Sequence, residues 1–388
     1  MISGTGLSLL ACALGAAALG YAGVADWSLR RFARARPRRP DFTPAVSVLK
    51  PLCGLEPELC ENLRSFFELD YPGVQIVFGV RDAGDPARQV AERLKAEFPQ
   101  TDVAIVVDGR QHGTNPKLSN LINMLPAARH DVLVLSDSDI HVPPDYLARV
   151  VAPLRELPVG AVTCAYTAHP ASPTLGARIA ALQINDWFLP SVLVAGTFGE
   201  VDFCMGSTIA LRRDALNALG GLPALADVLA DDYEIGRRLV DRGYRVVLSE
   251  CVVDTVATER DMRELVRHEL RWARTIRTVR PLGFAGMFIT HTVSMCLLAG
   301  LALAASGGGL IAPLAIAGLG LFARLVLHID VVRRFASPGG AGWLVPMRDA
   351  LSLGIWMASF MGRRVTWRGQ DFSVRQDGSL VGTKGVNP

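Results

Sequence analysis

Two carboxylates sit two residues apart in Asp137-Ser138-Asp139, directly after the apolar run Val132-Leu133-Val134-Leu135-Ser136. In an extended chain, side chains at i and i+2 share a face, so both acids can address one ligand. Hard oxygen donors suit Mg2+ or Mn2+; either both acids take the ion, or one does while the other holds a sugar hydroxyl. Such a site binds a metal and a diphosphate. The same three residues also occur in solvated surface turns, and alone the pattern leaves that reading open. Asp231 and Asp232 form a second acidic pair, at the start of the helix-patterned stretch 231–239. First-turn acids offset a helix macrodipole without any other purpose. In a chain that already has strand-end acids, the pair can also provide the general base that deprotonates an acceptor hydroxyl. His268-Glu269-Leu270-Arg271-Trp272 sets a guanidinium able to chelate phosphate oxygens beside an indole that can bound an apolar or sugar pocket.

These groups need elements to position them. Short β-branched runs at 45–49, 74–80, 103–107 and 132–135 alternate with helical stretches such as 59–69 and 87–97, the latter ended by Phe98-Pro99. Strands alternating with helices predict an α/β domain with a mostly parallel sheet and helices on both faces. Several strands run into polar residues: Lys50-Pro51-Leu52-Cys53-Gly54, Arg81-Asp82-Ala83-Gly84-Asp85-Pro86, and Asp137-Ser138-Asp139. Parallel strand ends converge on one edge, so these residues line a single crevice. The sequence has neither G-x-G-x-x-G nor G-x-x-x-x-G-K-[ST], which leaves nucleotide-sugars as the natural occupants.

Half of the 388 residues are hydrophobic, and they are unevenly spread. Residues 7–25 carry no charge, and Arg30, Arg31, Arg34, Arg36, Arg38 and Arg39 follow them. A secretory signal places its positive charge before the apolar run, so this segment reads as a membrane anchor. The positive-inside rule puts the amino terminus outside and the next domain in the cytoplasm. Two further runs, 284–305 and 310–329, flank Ser306-Gly307-Gly308-Gly309 and predict a transmembrane hairpin; Arg324 lies near its cytoplasmic end, before Arg333 and Arg334. Residues 343–361 contain Arg348-Asp349 and precede Arg363, Arg364, Arg368 and Arg375. Parity makes this segment re-entrant or interfacial. Arg260, Arg263, Arg267, Arg271, Arg274 and Arg277 recur on one side of a predicted amphipathic helix suited to the cytoplasmic membrane surface. The chain therefore divides into an anchor (1–29), a cytoplasmic catalytic domain (43–259), an interfacial helix (260–282) and a membrane region with a basic tail (283–388). Seven scattered cysteines, none in C-x-x-C, predict neither zinc nor a disulfide framework. The formal charge of +3 hides local basic clusters that suit anionic lipid; no pattern suggests nucleic acid.

Taken in order, Arg81-Asp82, Asp137-Ser138-Asp139, Asp231-Asp232 and Arg271-Trp272 resemble the D, D-x-D, D, (Q/R)-x-x-R-W series of membrane-bound family 2-like glycosyltransferases. More closely, the chain resembles the ceramide glucosyltransferases of family 21. Leu49-Lys50-Pro51-Leu52, Phe66-Phe67-Glu68-Leu69-Asp70-Tyr71-Pro72, Asp85-Pro86-Ala87 and Asn115-Pro116-Lys117 match that family's blocks. Gln111-His112-Gly113-Thr114-Asn115, the stretch 118–124 and the stretch 268–277 are similar to the bacterial glycosyltransferases of hopanoid biosynthesis. Two departures stand out. His268 replaces the usual Gln or Arg, and Asn185-Asp186-Trp187-Phe188-Leu189-Pro190 stands where the animal ceramide enzymes carry His-Pro, which implies a changed acceptor pocket.

The resemblance implies a GT-A domain, the nucleotide-diphospho-sugar transferase fold, with transmembrane helices at both ends. It implies an inverting hexosyltransferase of the bacterial inner membrane, facing the cytoplasm, with a UDP-sugar donor and a membrane lipid acceptor. The bacterial branch points to UDP-N-acetylglucosamine and bacteriohopanetetrol; the wider family points to UDP-glucose and ceramide. Asp82 is then expected at the uracil or ribose, with Lys50 and Lys117 near the nucleotide. Asp137 is expected at ribose or metal, and Asp139 at a Mg2+ or Mn2+ ion. Asp232 is expected as base, and Arg271 at the diphosphate with Trp272 beside it. Gly206, Ser207 and His268 are expected at the sugar or acceptor pocket. Competing readings are a processive polysaccharide synthase, which needs more membrane helices, and a catalytically silent scaffold.

Overall fold

The computed structural model describes residues 4–34, 42–199, 201–307, 309–335, 337, 340–362, 364–367, 370–374 and 380–382. Eight strands form the main sheet: β1 (Val46–Pro51), β2 (Val74–Val80), β3 (Asp102–Val107), β4 (Val132–Leu135), β5 (Ile140–His141), β6 (Val159–Pro170), β7 (Ile209–Arg212) and β8 (Arg245–Ala257). Their order is β3-β2-β1-β4-β7-β6-β8-β5. The four at the β3 end are mutually parallel, as their alternation with helices predicts. Beyond β4 the sheet is mixed: β7 is antiparallel to both neighbours, β6 and β8 are parallel, and β5 is antiparallel to β8. The sheet is thus less uniformly parallel than the sequence pattern suggested, because the runs after β4 lack the regular strand-helix alternation of the first half.

Both faces of the sheet are covered. Val132 and Val134 of β4 enter one apolar core while Leu133 and Leu135 enter the other, the period-two signature of a central strand. After the long amino-terminal helix α1 (Gly4–Ala33), the first core is closed by α2 (Leu59–Ser65), α3 (Pro86–Glu97) and, further along, Tyr146 and Leu147. Helix α2 stops four residues earlier than the apolar pattern implied. On the opposite face lies α4 (Pro116–Met124). Next in the chain come α5 (Tyr146–Val151), α6 (Leu175–Gln183), a π-helical turn (Ile184–Phe188), α7 (Leu189–Phe198), α8 (Arg213–Ala218) and α9 (Asp231–Asp241).

The chain continues through α10 (Met262–Val279), α11 (Pro281–Gly286), α12 (Thr292–Ala305), α13 (Ile311–Phe335) and α14 (Val345–Ser359). Residues 6–33, 175–198 and 311–335 are long and apolar enough to cross a membrane. The stretch 175–198 has 67% of its most apolar window buried inside the protein and packs on the sheet, so it reads as a core element. The first arm of the expected hairpin is not one helix. Pro281–Thr290 and Thr292–Ala305 meet at a 67° bend. Helix α12 starts afresh there because Asp349 of α14 caps it, accepting from Ser294 N at 2.9 Å, Ser294 Oγ at 2.6 Å and Val293 N at 3.2 Å. Arg348 is also satisfied internally, in a two-bond pair with Glu269 of α10 at 2.6 and 2.8 Å. The charges within 343–361 are therefore internal fasteners between helices. In the expected basic tail, Arg364–Trp367, Gln370–Val374 and Leu380–Gly382 form a three-stranded antiparallel sheet. Arg36, Arg38, Arg39, Gly308, Arg363, Arg368 and Arg375 lie outside the described residues.

Candidate active site

The carboxyl ends of β1, β2 and β4 are adjacent; the first two deliver Lys50 and Asp82, and β4 delivers both Asp137 and Asp139. Lys50 is wholly buried on β1; its Nζ donates to Asp137 O at 2.7 Å and to Ser136 Oγ at 3.4 Å, and sits 3.6 Å from the centre of the Phe66 ring. Burial pulls this ammonium down to about 7, against the opposing pull of Asp139, Asp137 and Glu56. Lys50 thus braces the turn that carries both strand-end acids. Asp82 follows β2 in an exposed turn, where its Oδ1 accepts from Gly84 N at 2.8 Å.

The Asn115-Pro116-Lys117 block is the start of α4. Asn115 caps it, accepting from Lys117 N at 3.0 Å and Leu118 N at 3.1 Å, and Pro116 takes the first helical position, where no N–H is needed. The cap directs Lys117 into the crevice. Its Nζ lies 2.6 Å from Asp137 Oδ1 and 3.7 Å from Asp231 Oδ2. Burial disfavours this ammonium, but Asp137, Asp231 and Asp232 outweigh it and raise its pKa, so it stays charged. One cation therefore links the end of β4 to the start of α9.

The other link is Gly206. Its N–H donates to Asp232 Oδ2 at 2.9 Å, and a Cβ at this position would lie 2.8 Å from Asp137 Oδ2 and 3.3 Å from Lys117 Nζ. Only a glycine lets the backbone in this close. Asp232 Oδ1 accepts from Tyr233 N at 2.8 Å; burial pushes the carboxyl pKa up, partly offset by Lys117. Asp231 is raised to about 6, again by burial against Lys117. Asp139 is raised by burial and by Asp137, and its Oδ2 accepts from Thr255 Oγ1 at 2.8 Å. Ser207 is turned elsewhere, its hydroxyl donating to Cys164 O at 2.9 Å.

Arg271 faces inward rather than joining a solvated basic face: burial lowers its pKa and the charge of Asp232 raises it in return. Trp272 packs in the apolar group of Leu265, Ala257 and Leu344, with the His268 ring 4.3 Å away. His268 is held by Glu259, Nδ1 to Oε1 at 2.6 Å. Lys50, Lys117, Asp137, Asp139, Gly206, Asp232 and Arg271 thus converge, whereas Asp82, Ser207 and His268 are bonded elsewhere. Three participants escaped the sequence reading. Tyr166 on β6 feels Asp232, Asp139 and Asp137; burial first, then these acids, raise its pKa, so its hydroxyl stays a donor. Thr255 lies in an apolar strand, and Glu56, which accepts from Ser138 Oγ at 2.6 Å, lies in a loop. Nothing local in the sequence distinguishes them.

The donor set fits a divalent cation. Among the described residues no group of three or more His, Cys, Asp or Glu side chains forms a ready metal cage. Asp137 and Asp139 offer two hard-oxygen ligands, and the Asp137 side chain is 35% exposed, the open side of the cluster. Mg2+ characteristically takes one or two carboxylates and completes its shell with phosphate oxygens and water. The like charges that raise Asp139 are those a cation would relieve.

The glycosyl transferase family 21 model matches residues 10–380. The chain belongs to glycosyl transferase family 21. It is 25% identical to ceramide glucosyltransferase 3 of Caenorhabditis elegans over 288 residues, 74% of this chain and 60% of that one. Against ceramide glucosyltransferase 1 of the same worm it is 29% identical over 216 residues, 54% and 45% of the two chains. It is 35% identical to the ceramide glucosyltransferase of Komagataella phaffii over 117 residues, 29% of this chain and 23% of that one. These matches span less than two thirds of the relatives' own lengths. In fold, the chain is similar to the mannosyltransferase PcManGT from Pyrobaculum calidifontis in complex with GDP-Man and Mn2+, with a TM-score of 0.57 at 21% identity, covering 91% of this chain and 99% of that one. The family 21 chain thus has a GT-A-like α/β fold with apolar helices near both ends.

Proposed function

We propose that this family 21 protein is a membrane-bound inverting hexosyltransferase that moves a sugar from a UDP-sugar to a lipid hydroxyl on the cytoplasmic face of a bacterial inner membrane. The observation that carries this reading is the junction of Asp137, Lys117, Gly206 and Asp232 at a sheet edge flanked by membrane-length helices. Asp232 takes the proton from the acceptor hydroxyl as its oxygen forms a bond to the anomeric carbon. The bond from that carbon to the diphosphate breaks on the opposite face, and UDP leaves with the electron pair. Lys117 and Arg271 offset the negative charge that accumulates on the leaving group. Asp137 and Asp139 are the residues that would hold a divalent ion, whose chemistry there is neutralisation of the diphosphate. Burial holds Asp232 above the ordinary carboxylate range, which brings its basicity closer to working pH. Asp82 lies beyond β2, on the side of the crevice suited to the base and ribose.

UDP-N-acetylglucosamine and bacteriohopanetetrol are the donor and acceptor this reading prefers, from the likeness of residues 111–124 and 268–277 to the hopanoid branch. A second reading, UDP-glucose to ceramide, is favoured by the worm and yeast relatives, which are ceramide glucosyltransferases. Purified protein incubated with each donor against each lipid, with mass spectrometry of the lipid, separates them. N-acetylglucosaminyl-bacteriohopanetetrol is the expected product; glucosylceramide alone would replace the preferred acceptor, and no glycolipid with any pair would overturn the function.

A further inference from the structure

A cavity of about 420 Å3 lies away from the acidic cluster, between the end of β6, the π-helical turn after α6, the last turns of α13 and the approach to α14. Its place in the fold is informative. Tyr166, which senses the site carboxylates, is two residues before Ala168 on β6, and Ala168 lines the cavity. Two strand residues span about 7 Å. On the other wall, His328 is the eighteenth residue of α13, about 26 Å along the helix, where a 30 Å hydrocarbon layer is nearly crossed. The cavity therefore shares β6 with Tyr166 and borders α13 near the end that the proposed orientation places at the cytoplasmic surface.

Its polar groups are built in. Asp186 is 1% exposed, and both its carboxylate oxygens face His328 Nδ1, at 3.0 and 3.2 Å. Arg324 donates to Asp186 O at 2.7 Å and stacks on Trp187, which fixes the π-helical turn. Asn185 is fully used: its amide bonds Ala168 N, Ala168 O and Ser337 Oγ, which closes the wall. Two groups remain open to the cavity. His328 Nε2 and the Arg178 guanidinium have no hydrogen-bond partner among the described residues. With Asp186 facing His328 Nδ1, the proton of the neutral ring sits there and Nε2 accepts a hydrogen bond, whereas in the charged ring Nε2 donates as Arg178 does; a hydroxyl satisfies either form. A hydroxyl both donates and accepts and suits this pair; an anion would meet the Asp186 carboxylate.

We propose that this cavity binds the uncharged, hydroxyl-bearing head group of the lipid acceptor, with His328 and Arg178 as its specificity-determining residues. The inference rests on the lipid-glycosylating function above and assigns its acceptor subsite. A volume near 420 Å3 is within the ordinary range for small-molecule pockets. The tail leaves along α13 into the bilayer, and the head reaches past Tyr166 to Asp232.

The test uses the full chain in lipid nanodiscs and two variants that leave the buried Asp186–His328 pair in place: Arg178→Ala, and Ala341→Phe, which fills the cavity from its loop side. Native mass spectrometry reports binding of bacteriohopanetetrol, ceramide, a phosphorylated lipid and a simple long-chain alcohol; calorimetry reports UDP-sugar binding. Arg178→Ala is expected to weaken binding of the hydroxylated lipid roughly tenfold, the loss of one hydrogen bond to a charged group, and Ala341→Phe at least as much by occupying the head-group volume. UDP-sugar affinity and binding of the simple alcohol should not change. Undiminished binding of the hydroxylated lipid to both variants overturns the pocket, as does preference for the phosphorylated lipid. Wild-type protein that binds the hydroxylated lipid here yet transfers no sugar to any lipid overturns the proposed function and leaves the pocket standing.

Discussion

Gly206 is the residue on which the site geometry turns, because a side chain there would meet Asp137, Lys117 and Asp232 at 2.8, 3.3 and 3.5 Å. Gly206→Ala should displace these groups by a fraction of an ångström to an ångström and lower turnover by about 10²-fold. A UDP-release assay checks this, with the thermal midpoint confirming that the fold survives. His169, at the end of β6, makes a separate pH prediction. Its Nδ1 bonds Asp254 and its Nε2 lies 2.9 Å from Glu58 Oε2; the Asp254 bond first, with Glu58 adding, raises its pKa from 6.5 to about 9. A raised histidine stabilises the fold while charged, so its contribution is complete below pH 6.5 and is lost as pH rises through 9. The denaturation midpoint should therefore fall across that window, and His169→Gln should flatten the slope. At this scale the acidic pairs, Lys117 and Arg271 were legible because acids and bases at strand ends and helix starts mark themselves. Tyr166, Thr255 and Glu56 were not, since each reaches the site through pairings between segments that are far apart in sequence.

Helix α10 carries Arg271, and its aim depends on an internal fastening that sequence patterning concealed. The Arg348–Glu269 pair is almost wholly buried, Ser352 Oγ accepts from Arg348 Nε at 3.0 Å, and Ser352 in turn donates to Gln183 Oε1 at 3.0 Å. Removing one partner strands a buried charge. Arg348→Ala should destabilise the protein by about 3–5 kcal/mol, whereas Arg348→Met with Glu269→Leu should recover much of that loss. Thermal midpoints in one detergent compare the three. From sequence, parity and the basic tail made 343–361 re-entrant or interfacial and left Arg348-Asp349 without a role; only packing shows that Arg348 holds α10 and Asp349 caps α12. By contrast, β2 and β4 have the expected bounds, because β-branched runs with sharp polar ends define a buried strand. The mixed half of the sheet was less legible, since β6 and β8 are long strands whose partners are set by tertiary pairing.

For the whole molecule, Thr292 Oγ1 ties α12 to Ala18 O of α1 at 3.2 Å, while α1 and α13 join the sheet domain through Tyr21 Oη with Ser191 Oγ at 2.8 Å and Arg324 to Asp186 O at 2.7 Å. The proposed orientation places the turn after α12 outside and the catalytic domain inside. A cysteine introduced as Ser306→Cys should react with an impermeant maleimide added to intact cells, while exposed Cys53 should react only after lysis. The reverse pattern would put the active site outside, away from cytoplasmic UDP-sugars. The central claim, that Asp232 is the base in a site assembled by Lys117 and Gly206, is tested most directly by Asp232→Asn in nanodiscs, with turnover and UDP-sugar affinity measured on the same preparation. The account predicts turnover lower by roughly 10²–10⁴-fold with UDP-sugar affinity unchanged; wild-type turnover in this variant would contradict it.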